Sequence, residues 1–217
     1  MLPFQSYLEH FGVAVAAITG VLAARDKRVD LFGVLVLALV TAFGGGTLRD
    51  AAIGDLPIFW VRVPHFVYTA LIAALVTFFL ARSHVIPPGL LQVADAFSLA
   101  LFTIVGTAKA LDFHAPPLIA VILGVATGVA GGILRDLLLN EIPLVFRPDI
   151  YLYATAAFFG AIVHVLLHGH GATAQTSTLT GIGAVLLLRL AGIRWHLRLP
   201  VFVPKDSQSN STTHPTP

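Results

Sequence analysis

Two stretches of the chain decide its fold: AFGGGTLRDAAIGDLP at residues 42–57 and GVAGGILRDLLLNEIP at residues 128–143. In each, a glycine pair is followed by a leucine, an arginine and an aspartate, and a proline follows the aspartate seven residues later. Both stretches lie beside long apolar runs. A motif that places glycines and an Arg-Asp dipeptide twice in apolar surroundings indicates a duplicated structural unit.

The composition of the chain is that of a polytopic membrane protein. Of its 217 residues, 57% are hydrophobic and only 11% are charged, and its mean hydropathy is +0.87. A soluble domain has about 25% charged residues, so this chain lacks the polar surface that a soluble fold needs. The net charge of +2 comes without a basic stripe that would bind nucleic acid. Cysteine is absent, which excludes disulfides, thiolate metal sites and cysteine nucleophiles.

The apolar runs predict seven membrane-spanning helices. No basic residue precedes the first run, so we interpret it as a span of the mature protein rather than as a signal peptide. The predicted spans are residues 7–24, 31–53, 64–81, 94–111, 117–139, 150–167 and 178–190. The polar tail at residues 201–217 is expected to be disordered.

The positions of lysine and arginine predict the orientation of the chain. Seven spans put the two termini on opposite sides of the membrane. One side has nine basic residues: Arg25, Lys27, Arg28, Arg82, Arg147, Arg189, Arg194, Arg198 and Lys205. The other side has only Arg62 and Lys109 outside the motifs. The positive-inside rule therefore predicts a cytoplasmic C-terminus and an N-terminus on the outer side.

The chain repeats itself with an offset of 86 residues. Without gaps, residues 11–57 align with residues 97–143 with 14 identities in 47 positions. Each unit contains three spans, an odd number, so the second unit enters the membrane from the opposite side. We therefore predict an all-α membrane protein with two inverted three-helix units, residues 5–82 and 92–168. A seventh helix at residues 176–200 and a cytoplasmic tail at residues 201–217 follow.

The glycines of the motif allow two interpretations. Gly44, Gly45 and Gly46 lie about two thirds along the second span, and Gly131 and Gly132 lie in the fifth. Glycine favours kinks, and a kinked membrane helix has free backbone groups that can line a water-filled path. Alternatively, small residues only permit close helix packing. Because three glycines stand in a row and a pair recurs, the sequence favours a functional kink.

The charged residues of the motif are Arg49 and Asp50 in one unit and Arg135 and Asp136 in the other. A charge inside the bilayer is costly, so these groups should face protein or water. Neighbouring side chains point about 100° apart on a helix, so each arginine is expected to pair with a residue other than the adjacent aspartate. Inversion puts Arg49 toward the outer face and Arg135 toward the cytoplasmic face. The alternative is a structural role as caps or interfacial ion pairs.

Further polar groups are interpreted as structural. Three charged residues near predicted span ends are expected to be interfacial anchors: Glu9, Asp95 and Lys109. Three histidines around the end of the sixth span are expected to be interfacial rather than metal-binding, since a metalloenzyme would need several such clusters: His164, His168 and His170. The sequence has no nucleophile–base arrangement and no phosphate loop. It therefore predicts neither an enzyme nor a cofactor or metal site.

The doubled motif in a seven-span chain resembles the prokaryotic branch of the trimeric intracellular cation (TRIC) channels. This sequence family is also described as a glycine transporter domain that occurs twice per chain. The resemblance extends over roughly residues 5 to 200. It implies a homotrimer in the prokaryotic cell (inner) membrane, surrounded by lipids. It also implies one pore per protomer, which conducts potassium and, less selectively, sodium.

The resemblance also implies that the glycine stretches of the second and fifth helices kink beside the pore. The candidate pore and kink residues are Gly44, Gly45, Gly46, Thr47, Gly131 and Gly132. The four motif charges become candidate groups near the pore entrances. The animal members have a lysine-bearing signature and a basic tail that this sequence lacks, so their lipid-headgroup binding and their role in calcium release are not implied. Ala130 replaces the first motif's Gly44, so the second kink should be softer.

The alternative function is a secondary transporter of a small amino acid such as glycine. Its carboxylate would then bind at a half-helix N-terminus near Thr47 or Ile133. A core of two three-helix units is small for alternating access, and no occluding gates are evident. The sequence therefore favours the channel.

Overall fold

The computed structural model of the chain describes residues 3–147 and 152–195. Its helices are α1 (Pro3–Ala24), α2 (Leu31–Ile53), α3 (Phe59–Arg62), α4 (His65–Ser83), α5 (Leu90–Asp112), α6 (Pro117–Leu138), α7 (Tyr153–Gly169) and α8 (Ala174–Trp195). A 3-10 turn at Leu144–Phe146 lies between α6 and α7. Three predicted segments lie outside the described residues: the tail at 201–217, the end of the seventh-helix unit at 196–200, and residues 150–151 of the sixth span.

The protein is an all-helical membrane protein, and each predicted span corresponds to one of its long helices. Six helices are long and apolar enough to cross a membrane, whereas α7 is apolar but has only 17 residues. The largest difference is at α8, which begins at Ala174 and ends at Trp195. Ser177 and Arg189 belong to this helix and are fully buried. Counting Arg189 among the basic residues that flank the spans is therefore wrong, because neighbouring helices cover it.

The ends of the membrane helices follow from local sequence. Asp30 caps the N-terminus of α2, and its carboxylate accepts the N–H of Gly33 at 2.8 Å. At the other end, Gly54 has a φ of 73°, the left-handed conformation that terminates helices and that glycine adopts without strain. α6 begins at Pro117, where a missing N–H costs nothing.

α5 is the central helix of the bundle. It packs against α1, α6, α7 and α8, and its residues from Ser98 to Ala110 are buried almost without interruption. One apolar cluster joins α1, α2 and α4, and a second joins α5, α7 and α8. α2 and α6, the two helices that carry the motifs, are in direct contact between these clusters.

The two motifs lie at opposite ends of α5. Asp50 of the first motif contacts Lys109, near the C-terminus of α5, whereas Arg135 of the second contacts Asp95, near its N-terminus. Fourteen helical residues separate Lys109 from Asp95, which corresponds to about 21 Å at 1.5 Å per residue. Arg49 and Arg135 therefore belong to separate sites.

Candidate functional site

The helices that carry the motif glycines touch through their backbones. A Cβ atom on Gly45 would overlap the carbonyl oxygen of Thr127, and one on Gly131 would overlap that of Thr41. Both would lie well inside the 3.0 Å that Cβ atoms respect. The two pairs are equivalent at the 86-residue offset. Glycine is thus needed here for close helix packing, the second of the two interpretations that the sequence allows. α2 and α6 are continuous through their glycines, and the predicted kinks stay predictions.

The other motif glycines meet side chains rather than backbone. A Cβ atom on Gly44 would meet Leu134, and one on Gly46 would meet the ring of Phe59. A Cβ atom on Gly132 would have ordinary contacts, all longer than 3.3 Å. The five glycines are therefore not equivalent, and only Gly45 and Gly131 hold the helices in backbone contact.

Thr47 lies apart from the contact between α2 and α6. Its hydroxyl accepts a hydrogen bond at 3.0 Å from Nε1 of Trp60, whose indole stacks on Phe43 with ring centroids 5.4 Å apart. Thr47 and Gly44 line an apolar groove on the outside of the bundle.

A small polar cavity lies where α1, α2, α5 and α6 meet. Its volume is about 10 Å³ for the centre of a water-sized sphere, which is room for about one water molecule. Its lining combines hydroxyls, glycines, one ion pair and two apolar residues: Thr19, Thr41, Ser98, Thr127, Gly45, Gly46, Gly128, Gly131, Gly132, Asp95, Arg135, Ala42 and Phe102. Four of the six candidate pore residues thus border it. The lining offers oxygen ligands that can replace water around a cation.

Three of these hydroxyls are held by their own helices. Thr19 donates to the carbonyl of Ala16, Thr41 to that of Leu37 and Thr127 to that of Leu123, with distances between 2.6 and 2.8 Å. A hydroxyl that donates in this way keeps its lone pairs as acceptors. The threonines can therefore present oxygen to a cavity ligand without losing their own hydrogen bond.

A buried set of ion pairs surrounds Asp50, and we call Arg49, Asp50, Asp55 and Lys109 the Asp50 network. Oδ1 of Asp50 accepts hydrogen bonds from Nε of Arg49 at 2.8 Å and from Nζ of Lys109 at 2.7 Å. Its Oδ2 accepts the backbone N–H of Phe59 at 2.9 Å. The Asp50 side chain is fully buried, so these donors replace its hydration.

Asp55 connects this network to the exposed end of the bundle. It pairs with Lys109 at 2.7 Å and with Nη2 of Arg62 at 2.5 Å. Burial acts to raise the pKa of Asp55, but the hydrogen bonds from Arg62 and Lys109 outweigh it and hold that pKa below its ordinary value. Arg62 also donates to the carbonyl of Pro57 at 2.9 Å, so it ties α3 to the end of α2.

An equivalent network surrounds Asp136 at the other end of α5. Oδ1 of Asp136 accepts from Nε of Arg135 at 2.8 Å, and Oδ2 accepts the N–H of Leu144 at 2.8 Å. Nη1 of Arg135 donates to Oδ1 of Asp95 at 3.0 Å. In both networks the motif aspartate therefore accepts hydrogen bonds from the adjacent arginine and from one backbone N–H just beyond the following proline, that of Phe59 after Pro57 and that of Leu144 after Pro143. We call Asp95, Arg135 and Asp136, with the two residues described next, the Asp136 network.

Two residues of the Asp136 network were not singled out by the sequence. The guanidinium carbon of Arg189, from α8, lies 4.7 Å from the ring centroid of Tyr153, from α7. Both side chains are buried. An arginine within an apolar span was the available signal, because a buried charge in a membrane helix requires a partner.

Partners other than the adjacent residue were predicted for the motif charges, and two are present, since Arg135 binds Asp95 and Asp50 binds Lys109. The expectation that the arginines would not bind the neighbouring aspartates is wrong. Arg49 binds Asp50, and Arg135 binds Asp136, in both cases through Nε at 2.8 Å. The 100° separation describes the directions of the Cα–Cβ bonds. An arginine side chain is long enough to turn back along the helix, so it reaches a carboxylate that starts in another direction.

The interfacial positions predicted for Glu9, Asp95 and Lys109 are also wrong. Their exposed fractions are 3%, 3% and 7%. They lie near helix ends, but other helices cover those ends. The recurrence of an acidic residue at Glu9 and Asp95, which are equivalent at the offset of 86, was the signal for a shared buried role.

The histidines divide into one buried and two exposed residues. His164 is buried, contrary to the prediction, because α8 approaches it closely at Gly181. His168 and His170 are exposed. No cluster of three or more potential metal ligands occurs within residues 3–147 and 152–195.

The sequence matches a known protein family over most of its length. A family model described as a glycine transporter matches residues 6–82 and 92–169. The chain is 47% identical to the inner membrane protein YadS of Escherichia coli (strain K12) over 198 residues, which cover 90% of this chain and 95% of that protein. It is 45% identical to a membrane protein of Vibrio cholerae over 199 residues, 90% of this chain and 81% of that protein.

The fold also matches solved structures. A TRIC trimeric intracellular cation channel orthologue from Rhodobacter sphaeroides matches with a TM-score of 0.83 and 41% identity, over 89% of this chain and 99% of that chain. A second structure, described in terms of conductance through TRIC cation channels, matches with a TM-score of 0.82 and 30% identity, over 94% and 99% of the two chains.

Proposed function

Because the chain belongs to the glycine transporter family and resembles solved TRIC cation channels, we propose that it is a potassium-permeable cation channel. In this proposal it forms a homotrimer in the inner membrane, with one pore in each protomer. The family resemblance that the doubled motif implied is confirmed. The observation that carries the proposal is the polar cavity between the two units, with a charge network around each motif.

The cavity forms the narrow part of the conduction path. Its threonine and serine oxygens take the place of water around a potassium ion. The path crosses the contact between α2 and α6, where Gly45 and Gly131 allow the backbones to meet. With room for about one water molecule, this conformation is closed.

Opening requires that the ends of α2 and α6 move. Asp50 holds the end of α2 to α3 through the N–H of Phe59, and Asp136 holds the end of α6 to the following turn through the N–H of Leu144. The glycines lie one turn before these aspartates, so a bend at the glycines moves the charged ends away from the cavity. The predicted kinks thus act during opening.

The orientation follows from the distribution of lysine and arginine, and one contact supports the inversion of the two units. Lys27, after α1, forms an ion pair with Glu141, after α6. Glu141 is equivalent to Asp55, which lies at the opposite end of α5, beside Lys109. Equivalent residues at opposite ends of the bundle are what inverted units require. The C-terminus is cytoplasmic, the N-terminus lies outside, and α7 is the sixth of seven spans.

The amino-acid transporter is not proposed as a second function. A cavity for about one water molecule has no space for glycine in this conformation. The solved structures that the chain resembles are described as channels rather than as transporters or enzymes.

Bilayer recording from purified protein tests the channel. We expect unitary currents in a potassium chloride gradient that reverse toward the potassium equilibrium potential. Thr127→Val removes an oxygen from the cavity and should lower the unitary conductance. Thr77→Val is the matched control, because Thr77 makes the same one-turn hydrogen bond to Ala73 on the peripheral helix α4. Saturable glycine uptake without unitary currents would refute the proposal, and equal conductance of the two variants would refute the cavity as the path.

A further inference from the structure

The two charge networks differ in how the motif arginine is bound. In the Asp136 network, Arg135 bridges two carboxylates, Asp136 and Asp95. In the Asp50 network, Arg49 binds Asp50 through Nε and Nη2, both at 2.8 Å. The residue equivalent to Asp95 is Glu9 on α1. No ion pair joins Glu9 to Arg49 within the described part of the chain.

Glu9 is nevertheless placed as a buried acidic member of this site. Its exposed fraction is 3%, and its Oε2 has no hydrogen-bond partner among the described residues. α1 packs directly against α2 and α5, the helices that carry Arg49 and Lys109, and the charges of both residues act on the Glu9 carboxyl. A buried carboxylate oxygen without a donor is costly, so a state that supplies one is favoured.

Lys109 accounts for the difference between the networks. Position 23, its equivalent in the first unit, is Ala23, so the Asp136 network receives no lysine from α1. In the Asp50 network, Lys109 and Arg49 donate to the same oxygen, Oδ1 of Asp50. Two cations thus share one acceptor, while Oε2 of Glu9 on the adjacent helix α1 has no hydrogen-bond partner among the described residues.

We propose that Glu9 is the alternative acceptor for Arg49, and that Arg49 moves from Asp50 to Glu9 when the channel opens. The movement of Arg49 on opening rests on the proposed channel function. The Asp136 network already has the corresponding pair between Asp95 and Arg135. Lys109 retains Asp50 when Arg49 leaves, so the aspartate stays compensated. Because Arg49 lies beyond the glycines of α2 and Glu9 lies on α1, the exchange shifts the end of α2 relative to α1.

Gating of the reconstituted protein tests the exchange. Glu9→Gln removes the charged acceptor and should lower the open probability about fivefold or more, with the unitary conductance unchanged. Glu9→Asp keeps the charge and introduces the residue found in the second network, so it should restore most of the open probability. Glu141→Gln, which neutralises an exposed carboxylate, should have no effect. An unchanged open probability in Glu9→Gln, or equal losses in Glu9→Gln and Glu9→Asp, would overturn the proposal.

Thermal unfolding in detergent tests the exchange without any conduction. If Glu9 can accept the hydrogen bonds of Arg49, it becomes the remaining charged acceptor of Arg49 when Asp50 is neutralised. Glu9→Gln should therefore lower the unfolding temperature more in an Asp50→Asn background than in the wild type. Additive effects of the two substitutions would overturn the alternative acceptor. A wild-type protein without unitary currents would contradict the channel function, whereas this comparison would still decide whether Glu9 and Asp50 compete for Arg49.

Discussion

The backbone contact between α2 and α6 predicts that even a single methyl group destabilises the fold at two positions. The perturbation is Gly45→Ala or Gly131→Ala. Each adds one methyl group where the carbonyl oxygen of Thr127 or Thr41 already lies. The neighbour at both positions is helix backbone, which cannot rotate away as a side chain does.

The magnitude follows from the overlap. To bring the new Cβ atom to the 3.0 Å limit, α2 and α6 must separate by about 1 Å. Overpacking of this kind costs about 1 to 3 kcal/mol. For a chain of about 200 residues, this corresponds to a lowering of the melting temperature by roughly 2 to 12 °C. Gly44→Ala should cost less, because the nearest atom there is the flexible end of the Leu134 side chain.

The assay is thermal unfolding of the purified variants in detergent, followed by bilayer recording. Gly183→Ala in α8 is the matched control, because no described atom lies within 4 Å of a Cβ atom at that position. This control should be neutral or more stable by up to about 1 kcal/mol, since alanine favours the helix over glycine. The Gly45 and Gly131 variants should also have altered conduction, because the cavity borders their contact.

A Gly45→Ala variant that has the same unfolding temperature as Gly183→Ala and conducts like the wild type would refute both roles of the backbone contact. A lowered unfolding temperature with unchanged conduction would show that the contact stabilises the fold but has no part in conduction. The contact would then hold the helices together without shaping the path.

Three further predictions concern the charged and aromatic contacts. Arg135→Gln should destabilise the protein by about 3 to 5 kcal/mol in detergent unfolding, because its buried carboxylate partners lose their cation; a loss below about 1 kcal/mol would contradict the network. The hydrogen bond from Lys27 holds the pKa of Glu141 below its ordinary value of 4.5, so the pair stabilises the fold fully above that pH and loses its effect as the pH falls through the lowered pKa. Glu141→Gln should remove this part of the acid dependence, measured as unfolding temperature against pH, and an unchanged profile would argue against the pair. Trp60→Phe should cost about 0.5 to 1.5 kcal/mol through the lost hydrogen bond to Thr47, and Thr47→Val in the same background should then add little to the change in unfolding temperature.

The sequence predicts the positions of the long helices well because a membrane span must be a long, continuous apolar helix. The second span was predicted at residues 31–53, and α2 has these bounds, since Asp30 and Gly54 mark its ends by local hydrogen bonding and backbone conformation. α8 was predicted too short, because polar residues interrupt its apolar run near both ends, where Gln175, Thr176 and Arg194 continue the helix although they are exposed. The short helix α3 was not predicted, since four residues carry too little periodicity.

The site was predicted only in part. The recurrence of the glycines pointed to Gly45 and Gly131, but a backbone contact leaves no trace in the partner's side chain, so Thr41 and Thr127 were not identified as the opposing residues. The partners of the motif charges were missed for a different reason. Asp95 and Lys109 are about 40 to 60 residues away in sequence, and their burial depends on how α5 packs at the centre.

The position of Arg189 bears on how a duplicated chain becomes a complete protein. Two copies of a three-helix unit place Arg135 between two buried carboxylates, Asp95 and Asp136, so the second half alone has a deficit of positive charge in its interior. In the first half, the buried carboxylates are neutralised with the help of Lys109, which belongs to α5 of the second half. α8 places Arg189 at the end of the bundle where the second half lacks positive charge. The last helix, which has no counterpart in the repeat, thus balances the charge of the second half. Without α8, one of the two buried carboxylates would have no compensating cation.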